Sequence, residues 1–127
     1  MAAVTIVKAR AVSPAGYEVN DTAILAADMS AGTQVVYSGS TSGGLSVVAK
    51  VSTSATEAHA ILLEDGKAGD AVSIGVQGEM DGFSGLTPGT ALYPSGSTAG
   101  GIDTTAPAGA TIRMRAVTTS RVRFSFI

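Results

Sequence analysis

Regular alternation of apolar and polar residues recurs along the chain, with the period of half-buried β-strands. In residues 5–12, Val7, Ala9 and Ala11 share one face while Lys8 and Arg10 share the other. The pattern predicts a half-buried strand, or an arm that pairs with something, ending at the break Ser13-Pro14-Ala15-Gly16. Residues 21–29 are ambiguous, because Thr22-Ala23-Ile24-Leu25-Ala26-Ala27 fits one helical turn or a short strand. Further on, His59-Ala60-Ile61-Leu62-Leu63 and Asp70-Ala71-Val72-Ser73-Ile74-Gly75-Val76 read as strands. Glu64-Asp65-Gly66-Lys67-Ala68-Gly69 joins them as a turn-rich connection. Ser54-Ala55-Thr56-Glu57 has the form of a helix capping box, but the pattern is frequent by chance and an extended segment is the better expectation.

The chain also echoes itself. Ala31-Gly32-Thr33-Gln34-Val35-Val36-Tyr37-Ser38-Gly39-Ser40-Thr41-Ser42-Gly43-Gly44-Leu45 returns as Pro88-Gly89-Thr90-Ala91-Leu92-Tyr93-Pro94-Ser95-Gly96-Ser97-Thr98-Ala99-Gly100-Gly101-Ile102. Gly-Thr, Ser-Gly-Ser-Thr and Gly-Gly fall at the same offsets, although Gly/Ser loops resemble one another by composition alone. Each copy reads as turn, short strand, Gly/Ser loop and second strand, which is a hairpin. Two copies do not make a solenoid.

The last hairpin carries the most local information. Ile112, Met114 and Ala116 share a face, as do Val122, Phe124 and Phe126. A loop at Thr118-Thr119-Ser120 sets Met114 opposite Phe124 and Ile112 opposite Phe126; a loop one residue shorter would mix the faces. The same register places Arg115 opposite Arg123 on the outer face, with Arg113 and Arg121 nearby. Like charges directly across strands repel, so something acidic is expected to answer them. Glu57, Glu64 and Asp103 are the intramolecular candidates; the alternative is an interface ion pair with another chain.

Composition sharpens this picture. At 127 residues the chain is expected to form one domain, residues 21–127, with residues 1–20 as an N-terminal arm or strand. The apolar fraction is 45%, but it includes 21 Ala against 29 Val, Ile, Leu and Phe together. Ala buries little area, so the core is thin and burial against other chains would add stability. A net charge of −2 with recurrent alternation argues against disorder, and mild acidity argues against nucleic acid as a partner. Cysteine is absent, which removes disulfides and thiolate metal sites. Met1-Ala2-Ala3-Val4-Thr5 lacks a signal-peptide layout, and no apolar run approaches the ~20 residues of a membrane span.

Candidate chemistry is sparse. His59 is the only histidine and has no organising sequence partner for general-base work. Serines abound, but no nucleophile-elbow sequence accompanies them. Asp65-Gly66, Asp70 and Glu79-Met80-Asp81-Gly82 offer oxygen ligands without the spacing of a calcium loop, and read as turn formers. Gly43-Gly44 and Gly100-Gly101 match no phosphate-binding pattern. No catalytic residue, metal, cofactor or small-molecule substrate is expected.

From Ala58 to Ile127 the chain resembles the head decoration (capsid cement) proteins of tailed bacteriophages. The matching pieces are Ala58-His59-Ala60-Ile61-Leu62-Leu63-Glu64-Asp65, Ala68-Gly69-Asp70-Ala71-Val72, Gln77-Gly78-Glu79, Gly85-Leu86-Thr87-Pro88-Gly89-Thr90-Ala91-Leu92-Tyr93, Gly100-Gly101-Ile102-Asp103-Thr104-Thr105-Ala106-Pro107 and Arg115-Ala116-Val117-Thr118-Thr119-Ser120-Arg121-Val122. The resemblance implies an all-β protein, a small β-barrel or β-sandwich built from hairpins. It further implies a homotrimer bound to the major capsid protein on the outer surface of the virion, made in the host cytoplasm, with no membrane or nucleic-acid partner. The Gly-Leu-Thr-Pro-Gly run also resembles modules of tail fibres, spikes and baseplates, so a receptor- or glycan-binding β-module is the alternative. The expected interface residues are Val7, Lys8, Arg10, Arg113, Arg115, Arg121 and Arg123.

Overall fold

A computed structural model describes residues 3–12 and 18–127. The described residues form ten strands and no helix: β1 Thr5–Ala11, β2 Val19–Leu25, β3 Gln34–Ser42, β4 Leu45–Lys50, β5 Ala60–Leu62, β6 Ala71–Ser84, β7 Ala91–Pro94, β8 Ile102–Asp103, β9 Met114–Ala116 and β10 Val122–Ser125. The all-β expectation holds. The ambiguous segment after residue 20 is a strand because alternation wins there: Ala23 and Leu25 are buried, and β2 lies between β4 and β6. Residues 52–57 make a turn, with the Ala55 N–H donating to the Ser52 carbonyl at 3.2 Å, not a helix. The predicted break at Ser13-Pro14-Ala15-Gly16 lies outside the described residues.

Strand β6, 14 residues long, is the spine. At Ile74 and Gly75 it pairs with β2 on one side and β5 on the other. At Gln77 the flanking strands are β2 and β10, and at Met80 they are β1 and β10. Strands β2 and β1 therefore follow one another along one edge of β6, and β5 and β10 along the other. The order β2-β4-β3-β5-β6 returns to β2 through the β2–β6 ladder, so five strands close a ring. From β6 the sheet continues outward through β10, β9, β7 and β8.

This arrangement divides the apolar residues into two clusters. Ala23, Leu25, Val35, Val48, Leu62, Val72 and Ile74 pack together between the ring strands. Ile61, Met80, Phe83, Leu92, Met114, Val122 and Phe124 pack where β6 meets the outer strands. Strand β5 serves both: Ile61 points into one cluster and Leu62 into the other, as successive strand residues must. Strand β6 serves both by another route. Its register shifts by one residue against β2 between Val19 and Asn20, a bulge that lets Ile74 and Met80 face different clusters. Gly75 has a packing reason, since a Cβ there would come within 2.8 Å of the Phe124 ring.

The two echoed segments are both hairpins. Strands β3 and β4 close through Gly43-Gly44, both at positive φ, as a two-residue hairpin turn requires. Strands β7 and β8 pair through Tyr93↔Asp103 and Pro94↔Ile102. Corresponding positions do corresponding work: Gly32 and Gly89 are at positive φ, and Val35 and Leu92 are buried. The copies diverge at the Gly/Ser stretch. In the first it stays in strand β3 as far as Ser42, bulged between Tyr37 and Thr41. In the second it becomes a loop after Pro94, where the Ser95 hydroxyl accepts from the Ser97 and Thr98 N–H groups. Buried Gln34 ties the copies together: its amide donates to the Gly101 carbonyl at 3.0 Å, and its backbone N–H to Gly100 at 2.8 Å.

Candidate interface

The sequence places positive charge in two distant stretches, residues 8–10 and 113–123. The fold brings them to the same sheet. Strand β1 pairs with β6 as Arg10↔Asp81 and Ala11↔Met80. On the opposite edge β10 pairs as Val122↔Met80 and Arg123↔Glu79, and β9 follows as Arg115↔Arg123. Because Glu79 and Asp81 are two apart on β6, their side chains share a face. Arg10, Arg121, Arg123 and Arg115 accordingly stand on the outer face of four adjacent strands. Arg113 joins Arg115 and Arg123 around one groove of about 440 Å³. All five arginines of the chain lie there.

The C-terminal hairpin has the register read from its sequence: Met114 opposite Phe124 and Arg115 opposite Arg123. Val117 and Arg121 close the loop at Thr118-Thr119-Ser120, and the Thr118 hydroxyl oxygen accepts from the Ser120 and Arg121 N–H groups. Ile112 lies outside strand β9 and is 47% exposed. The acidic answer to the arginines comes mainly from β6. Glu79, buried at 4% exposure, accepts from Arg123 Nε at 3.0 Å and a second Arg123 nitrogen at 2.8 Å, and lies 3.9 Å from Arg121. Glu57 pairs with Arg113 at 3.4 Å. Glu64 and Asp103 serve elsewhere, accepting the backbone N–H groups of Ser73 and Thr105. The turn-former reading of Glu79-Met80-Asp81 is corrected here: these residues sit inside a long strand, and their carboxylates hold arginines across it. The signal that could have exposed them was the strict alternation from Gln77 to Asp81.

Arg10 forks onto Asp81, with Nε to Oδ1 at 2.8 Å and Nη2 to Oδ2 at 3.3 Å. That hydrogen bond first, and the carboxylate charge second, raise the Arg10 pKa above its ordinary value. Arg115 differs from the others. Its guanidinium donates to the Gly89 carbonyl at 2.9 Å, and among the described residues it forms no salt bridge. The face and its margin together hold six cations (Lys8, Arg10, Arg113, Arg115, Arg121, Arg123) and three anions (Glu57, Glu79, Asp81). Glu64 and Asp65 line a groove with Val7 and Lys8 at one margin, so the positive excess is concentrated around the five arginines.

Strand β1 departs from its sequence reading at Val7. The alternation put Val7 with Ala9 on an inner face, yet Ala9 is buried and Val7 is 72% exposed. The ladder runs from Ile6↔Phe83 to Arg10↔Asp81, so three residues of β1 span the single Gly82. Gly82 adopts φ +95, and its Cα side is filled by the Lys8 carbonyl. The bulge turns Val7 outward beside Lys8 and near Ser120 of the β9–β10 loop. Ile6 is 37% exposed at the same edge. Thus the N-terminal segment is bound along β6, with Val7 turned outward and Ile6 partly exposed while its side chain packs over Gly32.

Other chemistry is modest. Tyr37 and His59 stack with centroids 5.7 Å apart, and the Tyr37 N–H donates to His59 Nδ1 at 3.1 Å. The imidazole thus continues β5 by accepting the hydrogen bond that a further strand residue would take. Asp28 accepts from the Ala68 N–H at 2.9 Å, which, followed by the charge of Lys67, lowers its carboxyl pKa. No cluster of three metal-ligating side chains occurs among the described residues. No family model matches the chain, and no curated protein matches it.

Proposed function

We propose that the protein is a structural decoration protein of a tailed-phage head, which binds the major capsid protein as a homotrimer and stabilises the shell from outside. The observation that carries this reading is the joining of two separately predicted segments into one exposed surface. Val7, Lys8 and Arg10 on β1 and the arginines of β9 and β10 flank the same end of β6. A sheet face bearing clustered arginines suits the electrostatic recognition of another protein's surface. Among the described residues β1 pairs with no strand but β6, so its other edge, with Ile6 and Val7 exposed, is a strand edge of the kind that assembly covers.

Light scattering on the purified protein should give about three times the 12.5 kDa chain mass, and the protein should co-sediment with expanded heads but not with unexpanded shells. A monomer without affinity for expanded heads overturns the reading. The exposed Tyr37–His59 ring pair favours the receptor- or glycan-binding alternative, since aromatic faces stack on sugars. Cell-surface binding abolished by Tyr37→Ala, with no head binding, would establish that alternative instead.

A further inference from the structure

The row of side chains across four adjacent strands of the outer face reads Ala91, Arg115, Arg123, Glu79. Two guanidiniums stand side by side, and the one carboxylate in the row flanks only Arg123. Cross-strand neighbours have Cβ atoms about 5 Å apart, close enough for one anion to bridge both groups. The groove over this pair is lined by Arg113, Arg115, Arg123, Ser125 and the half-exposed Ile112. We propose that Arg115 and Arg123 together bind a carboxylate of an extended acidic segment of a partner protein, with Ile112 packing against its apolar neighbour.

Charge complementarity and spacing both select this occupant. Arg113, just before β9, continues its pairing with β10 by accepting the Ser125 N–H at 2.8 Å and stands two residues from Arg115, so a strand with acidic residues at alternate positions matches their spacing. Within the fold, Glu79 and Asp81, two apart on β6, meet Arg123 of β10 and Arg10 of β1 on opposite edges. Those carboxylates are engaged within the fold, so the segment comes from another protein. Nucleic acid fits less well. Three carboxylates lie among the arginines and repel phosphates, and Tyr37, an exposed aromatic ring of the kind on which bases stack, lies on β3, away from β6, β9 and β10.

The inference rests on reading this face as an interface. Its test uses the full chain and a short blocked peptide of alternating Glu and Val, titrated calorimetrically and by amide NMR. Binding should shift the Gly89, Ile112 and Ser125 amides and the Arg115 side-chain signal. Arg115→Gln should weaken the complex about tenfold or more, whereas Lys67→Gln should leave it unchanged. A folded Arg115→Gln variant that binds as well as the parent, shifts confined to another surface, or tighter binding of a DNA duplex than of the peptide would each overturn the site. If the peptide fails while the protein still sediments with expanded heads, the site falls and the decoration reading stands. Peptide binding that depends on Arg115, in a protein with no affinity for heads, leaves the reverse.

Discussion

Replacing Gly82 by Ala tests how the N-terminal strand is held. Gly82 lies at φ +95, where an L residue is strained by about 1–2 kcal/mol. An added Cβ would also overlap the Lys8 carbonyl, which is backbone and cannot rotate aside. Overpacking of this kind adds about 1–3 kcal/mol, so Gly82→Ala should destabilise the protein by about 2–5 kcal/mol. Gly85→Ala supplies the control. Gly85 has φ +72 but nothing within 4 Å of its would-be Cβ, so only the conformational part applies. Urea denaturation of both variants, with hydrogen exchange on β1, separates the contributions. The difference between them reports the approach of β1 to β6, and β1 amides should lose protection in Gly82→Ala alone. Equal destabilisation in the two variants, with β1 protected as in the parent, would refute the bulged docking of residues 6–10.

Phe124→Ala should destabilise by about 3–5 kcal/mol, since the ring is 1% exposed and fills the space over Gly75; differential scanning calorimetry measures this, and a loss under 1 kcal/mol would contradict the packing. Glu79→Ala should cost about 1–2 kcal/mol, moderated because Arg123 is half exposed, and the double variant with Arg123→Ala should lose less than the sum of the single changes; strict additivity would deny the coupling. Asp28 bears on acid stability. Its lowered folded-state pKa means that its contribution is present above the ordinary carboxyl value of 3.8 and disappears as pH falls through the lowered one. Asp28→Asn should therefore unfold at lower urea than the parent at neutral pH, with the two midpoints converging as the pH falls through the lowered pKa; a gap that widens in acid would reverse the sign.

Much of the fold was legible because alternation survives wherever one face of a strand is buried. The register of β9 and β10 followed from keeping Met114 and Phe124 on one face, and the structure has that register. Strand β6 was harder to read. Its bulge and its two separate cores hide a 14-residue strand behind Gly75, Gly78 and Gly82, which look like breaks. Val7 was assigned to the wrong face because the extra residues opposite Gly82 are invisible without the partner strand. The arginines were recognisable as a group, but Glu79 was not recognisable as their partner. Its role depends on which strand lies beside β10, a long-range fact that no local pattern carries.

The account stands on the outer face of β1, β6, β10 and β9 being covered in the assembled state. Hydrogen exchange of the protein alone and bound to expanded heads tests this directly. Added protection should concentrate in residues 5–10 and 112–125, with the Gly43-Gly44 turn unchanged. Protection confined to that turn and its hairpin, with the arginine face exchanging as it does in free protein, would contradict the account.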